Sequence, residues 1–198
     1  MSKKLVNLFL TLSVVLALTT PMSAKASEAT VNDISYDSVT EEQVDFNLRG
    51  YNYVPASVKE LLAKNGWTIT LTTKSLDEAA NLGSFYKKAI GVANNNTKEI
   101  FVKAVSNTNT TIIHEMGHAW DHEMGNLSKS KEFKALYKEE KSAFLKAYGF
   151  EDNSYDVNTR VEYFATAFKY FCLYDESFDK CLKNSCPKTY AYFEGLLN

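Results

Sequence analysis

A chain of 198 residues, 45% hydrophobic and 23% charged, can bury one core of its own and calls for no second domain. Its net charge of −2 and its lack of a basic cluster past residue 25 exclude the electrostatic footprint of a nucleic-acid or anionic-membrane binder. There is no internal repeat and no low-complexity linker.

Residues 1–26 have the pattern of a secretory leader. Lys3 and Lys4 form a positive start, Leu5 to Leu18 is apolar, and Ala24-Lys25-Ala26 supplies a small-x-small cleavage site. The apolar run is short for a membrane span and no second one follows. The expectation is a signal peptide cleaved near Ala26 and an extracellular monomer beginning near Ser27, without stable membrane association. Residues 27–52 are polar and weakly periodic, partly disordered at their start, and the domain proper spans 53–198.

Pro55 opens a predicted helix that Asn65-Gly66 stops. Trp67 to Thr73 alternates and is rich in β-branched residues, which predicts a strand. Ser75-Leu76-Asp77-Glu78 has capping-box spacing for a short helix ending near Gly83. Tyr86 to Ala93 and Glu99 to Val105 flank Asn94 to Thr97 as a β-hairpin, and Ile100 to Val105 is either a plain structural strand or an edge strand placed to pair with an extended peptide.

The next helix organises the chain. His114 and His118 stand four residues apart, which puts both imidazoles on one helical face, and Glu115 lies between them. Two such rings can hold a Zn²⁺ ion, one per chain, with the carboxylate beside its open position. All three histidines of the chain fall in this stretch. Asn107 to Thr111 offers helix caps before it and Gly125-Asn126 ends it.

A long helix follows over about 129–148, with Glu140 inside its apolar stripe, where a carboxylate needs an ion pair or a place behind the metal ligands. A polar loop spans Gly149 to Val157. Asn158 then caps a helix whose buried stripe includes Val161, Phe164, Ala165, Phe168 and Cys172. Shorter helices near Glu176 to Lys183 and Pro187 to Leu197 finish the chain. Cys172, Cys181 and Cys186 permit one disulfide and leave one thiol over, with no pairing indicated.

Two histidines need a third protein ligand. His122 continues the same face but lies about 12 Å along the axis from His114, out of reach of one ion. The metzincin spacing fails too, because its glycine and third-histidine positions hold Asp121 and Met124. A carboxylate on a later helix remains. Glu139 and Glu140 sit in a charge run, whereas Glu162 flanks an otherwise apolar helix, so the pattern ranks Glu162 ahead of Glu140 and leaves both open.

HEMGHAWDH at His114–His122, YDVNTRVEYFA at Tyr155–Ala165 and NSCPKTY at Asn184–Tyr190 together resemble one family. It is that of the anthrax lethal factor catalytic domain, which includes secreted Pro-Pro endopeptidases. The resemblance covers the second half of the chain clearly and the first half in general pattern. It implies an α+β zincin-like fold, mostly helical, with a small mixed sheet beside the active-site helix. It also implies Glu162 as third zinc ligand, Tyr155 as the group supporting the transition state, and a structural or outer role for Glu140. One position departs: lethal factor carries a second glutamate one turn after the zinc-binding one, and this chain has Thr166. Asp121 or Glu140 is then expected to orient the ligands instead.

The expected activity is zinc-dependent endopeptidase action on an extracellular protein or peptide, with Glu115 as general base. Cleavage between prolines is what the resemblance implies. The alternative is an inactive zinc-binding module or toxin-like effector of the same fold. Retention of Glu115 and Tyr155 speaks against it, since a structural site closes its fourth position with protein.

Overall fold

A computed structural model describes residues 34–105, 109–173 and 182–198. The leader and Cys181 lie outside these residues. Four strands form one sheet in the order β1-β2-β4-β3, comprising β1 (Ile34–Asp37), β2 (Thr68–Thr72), β3 (Gly91–Asn94) and β4 (Glu99–Lys103). β1, β2 and β4 run parallel, and β3 returns antiparallel to β4 with Gly91 opposite Val102 and Asn94 opposite Glu99. Helices make up most of the rest, so the fold is α+β, as expected.

Between β1 and β2 come α1 (Glu41–Tyr53) and α2 (Ala56–Lys64), and α3 (Leu76–Ala79) follows β2. The weakly periodic stretch before residue 53 thus supplies an edge strand and a full helix. That helix carries a capping box: the Thr40 hydroxyl accepts from the Gln43 N–H, and the Gln43 side chain accepts from the Thr40 N–H. The one expected at Ser75 does not form, and α3 is a single turn without a side-chain cap. Residues Ser84–Lys88 wind into a 3₁₀ turn, so the hairpin's first strand is shorter than its sequence pattern.

The second half is a helical layer: α4 (Thr111–Glu123), α5 (Lys131–Tyr148), α6 (Tyr155–Asn158), α7 (Arg160–Cys172), α8 (Leu182–Ser185) and α9 (Pro187–Leu197). Gly125 and Asn126, both at positive φ, end α4 where the sequence predicts. α5 starts at the Ser130 cap, whose hydroxyl accepts from the Phe133 N–H, and stops at left-handed Gly149. The loop read at Gly149 to Val157 contains the short α6, and Thr159 rather than Asn158 caps α7.

Aromatic side chains fill the space between these helices. Trp120 of α4 packs on Phe164 and Phe168 of α7 and on Phe193 of α9, with ring centroids 4.9–6.0 Å apart. Cys172 and Cys186 are free thiols, and Cys186 is buried with its Sγ–H directed to the Glu140 carbonyl. No helix among the described residues is long and apolar enough to cross a membrane.

Candidate metal centre

The site is built where α4 crosses α7. Gly117 stands between the two histidines in sequence, and a Cβ added to it would lie 3.1 Å from the Ala165 Cα and from Phe168. The missing side chain lets the two backbones approach closely. That approach carries the His114/His118 face of α4 against the first turn of α7. There the Thr159 hydroxyl accepts from the Glu162 N–H at 3.2 Å, fixing the start of the helix that presents the Glu162 carboxylate.

The three donor atoms converge. His114 Nε2 and His118 Nε2 are 3.1 Å apart, and each lies 3.3 Å from Oε2 of Glu162. A tetrahedral ion with bonds of about 2.0–2.1 Å sets its donors about 3.3 Å apart, so this triangle fits Zn²⁺. Oε2 is also buried without a satisfying hydrogen bond, a costly state that a bound cation removes. Burial alone would raise the Glu162 carboxyl, but the two imidazoles facing it outweigh that and hold it at about 2. A metal ligand at this position is the deprotonated, carboxylate form. Among the described residues this is the one His/Cys/Asp/Glu cluster with such geometry. His122 turns elsewhere, edge-on to Trp67.

Glu115 is buried beside the triangle, and burial raises its pKa against the opposing pull of His114 and His118. It rests against β3, where a Cβ at Gly91 would overlap its carboxylate and come within 2.6 Å of Thr111. Tyr155, the first residue of α6, reaches the same cleft and is 64% exposed. Partial burial, with Glu162 and Glu115 nearby, pushes its hydroxyl up to about 12, so it keeps its proton and can donate.

The cleft has a volume of about 740 Å³, and Gly91, Val92 and Ala93 form one wall. Ile90 O accepts from the Lys103 N–H at 2.8 Å. By antiparallel alternation, Gly91 and Ala93 then turn their own N–H and C=O groups away from β4 and towards the cleft, where the Ala93 N–H is given to Glu115. β3 is thus the sheet edge beside the cleft. β4, a candidate for that part by sequence, has partners on both sides and no ladder groups to spare.

With this geometry established, comparison with known proteins is informative. The family model of the anthrax toxin lethal factor N- and C-terminal domain matches residues 24–196. The chain belongs to this family. Its fold is similar to that of the Pro-Pro endopeptidase PPEP-2 from Paenibacillus alvei, with a TM-score of 0.67 and 21% identity over 83% of this chain and 97% of that one. No curated protein sequence matches significantly.

Within this lethal factor-type frame Glu140 has the structural role that the resemblance implied, and neither Glu140 nor Asp121 orients the triangle. Glu140 is neither ion-paired nor behind the triangle: its carboxylate accepts from the backbone N–H groups of Lys188 and Thr189 at 3.0 and 2.8 Å, capping α9. The Asp121 carboxylate accepts from the N–H and hydroxyl of Ser128 at 2.7 and 2.6 Å and so holds the turn after α4. The group in contact with the outer nitrogen of His114 is Thr166 itself, at 3.2 Å. Sequence reasoning noted Thr166 only as a departure and passed over Gly91. The available signal was a glycine in a strand, which marks close backbone approach.

Proposed function

We propose that this chain is a secreted zinc-dependent endopeptidase. The observation that carries the reading is the fitted His114/His118/Glu162 triangle with Glu115 and a strand edge in one cleft. Zinc, when bound, supplies Lewis-acid polarisation of a water and of the scissile carbonyl.

The protein's own groups do the rest. Glu115 accepts the proton from the attacking water and returns it to the leaving amine. Its burial favours the neutral carboxyl and so eases that capture. The Tyr155 hydroxyl donates to the oxygen on which negative charge develops. The Gly91 backbone groups and the Ala93 carbonyl face outward to an extended substrate, which adds to β3 as a further strand. The exposed Phe85 and Ile90 lie along the same rim and favour an apolar peptide. A preference for Pro-Pro bonds is carried over from the Paenibacillus alvei neighbour, which bears that name. Secretion rests on the leader pattern of residues 1–26, and the working unit is a monomer.

The test is digestion of a degenerate peptide library, with cut sites read by mass spectrometry and Glu115→Gln as control. Cuts at Pro-Pro bonds, absent in the control, are expected. Cuts elsewhere would keep the peptidase and discard the proline preference. No cuts from zinc-loaded protein would favour an inactive zinc-binding module.

A further inference from the structure

Thr166 lies on α7 one turn beyond Glu162 and is fully buried. Its Oγ1 is 2.8 Å from the backbone carbonyl of Asp156 and 3.2 Å from Nδ1 of His114. A threonine hydroxyl has one hydrogen to give. The Asp156 carbonyl can only accept, so the hydrogen points there and Oγ1 presents a lone pair to His114. Nδ1 of His114 must then carry the proton for the contact to be a hydrogen bond. A neutral imidazole has one N–H, so Nε2 is left bare. Nε2 is the atom that faces His118 and Glu162 across the triangle.

We infer that Thr166 is a positioning residue that holds His114 in the Nδ1–H tautomer and aims its bare Nε2 at the metal. The inference rests on reading the triangle as a zinc site. It assigns to a neutral hydroxyl, tied to the α6 backbone, the orienting part that carboxylates or carbonyls often play behind a histidine ligand. The hydroxyl can do this because its proton has only one destination. A valine would fill nearly the same space but could neither bond the Asp156 carbonyl nor accept from His114.

The chain has only three histidines, which makes their ring nitrogens separately assignable. The test is ¹H–¹⁵N NMR of the zinc-loaded protein, reading solvent exchange of the His114 Nδ1–H, combined with zinc titration against a competing chelator, for wild type, Thr166→Val and Thr166→Ser. Wild type is expected to show a slowly exchanging His114 Nδ1–H, held by the Thr166 hydroxyl. Thr166→Val should lose that signature and bind zinc about 10–100-fold more weakly, and Thr166→Ser should retain both properties. A His114 Nδ1–H that exchanges freely with solvent in wild type would overturn the inference even if the valine variant failed to fold. So would a folded Thr166→Val protein with unchanged zinc affinity. Wild type that takes up no zinc would sink the metal reading itself, and this role with it.

Discussion

Two walls enclose the cleft, and they are made differently. On one side, α4 and α7 meet through Gly117 and Ala165, and nearly every residue from Thr111 to Asp121 is buried. On the other side, β3 is half-buried along its whole length, and Phe85 and Ile90 are 81% and 45% exposed. The helical wall holds the three candidate metal ligands, His114 buried and His118 and Glu162 partly buried. The strand wall leaves backbone groups and apolar side chains open to whatever enters. Groups that need fixed geometry sit on packed helices, and groups that must meet variable substrate sit where solvent still reaches.

The largest effect that tests this division is metal removal. Chelation is expected to abolish peptide cleavage, and zinc to restore it. Activity that survived chelation would take the helical wall out of the chemistry. Next comes Glu115→Gln, expected to keep zinc and to lose about 10²–10⁴-fold in turnover, measured with metal content in the same preparation. Near-normal turnover in that variant would discard Glu115 as the base.

Tyr155→Phe probes the open side. The loss of one donor to the developing oxyanion should cost about 10²–10³-fold in kcat with zinc affinity intact. Gly91→Ala sharpens the contrast further, since the new Cβ would press on Glu115 without touching a metal ligand. A fall of up to about 10²-fold in kcat/KM is expected, with zinc affinity unchanged by chelator competition. Equal loss of zinc affinity would mean that the two walls are not separable.

The smallest effect on activity is expected from Glu140→Ala. Removing the carboxylate leaves the Lys188 and Thr189 N–H groups uncapped and should cost about 1.5–3 kcal/mol of stability in denaturant unfolding. Zinc affinity should not change. If it fell, Glu140 would serve the metal as well as α9.

The helical wall was largely legible in the chain. The four-residue spacing of His114 and His118 survives any tertiary arrangement, because the helix alone puts them on one face. Glu162 could be ranked from its place on an apolar helix, and family resemblance singled it out. The strand wall was less legible. Period-two patterning identifies strands but not their order in a sheet, so β4 was a candidate for the edge that β3 occupies. Glu140 shows the same limit, since a buried carboxylate announces a partner but not which one. Its partners are backbone N–H groups 48 and 49 residues away, which no side-chain pattern marks.

What the sequence determined by itself was therefore local: the helix bearing two imidazoles and a carboxylate, the stops at Gly125 and Gly149, the hairpin around Asn94 to Thr97, and the leader-like residues 1–26. The tertiary structure decided what depends on two distant segments meeting. It placed Oε2 of Glu162 3.3 Å from both imidazoles, left β3 as the sheet edge beside the cleft, and set one threonine hydroxyl between His114 and Asp156. The physical reason is one of range. Helix periodicity and capping act over a turn or two of chain, whereas the approach of α4 to α7 is set by small residues and aromatic packing across some fifty residues of sequence.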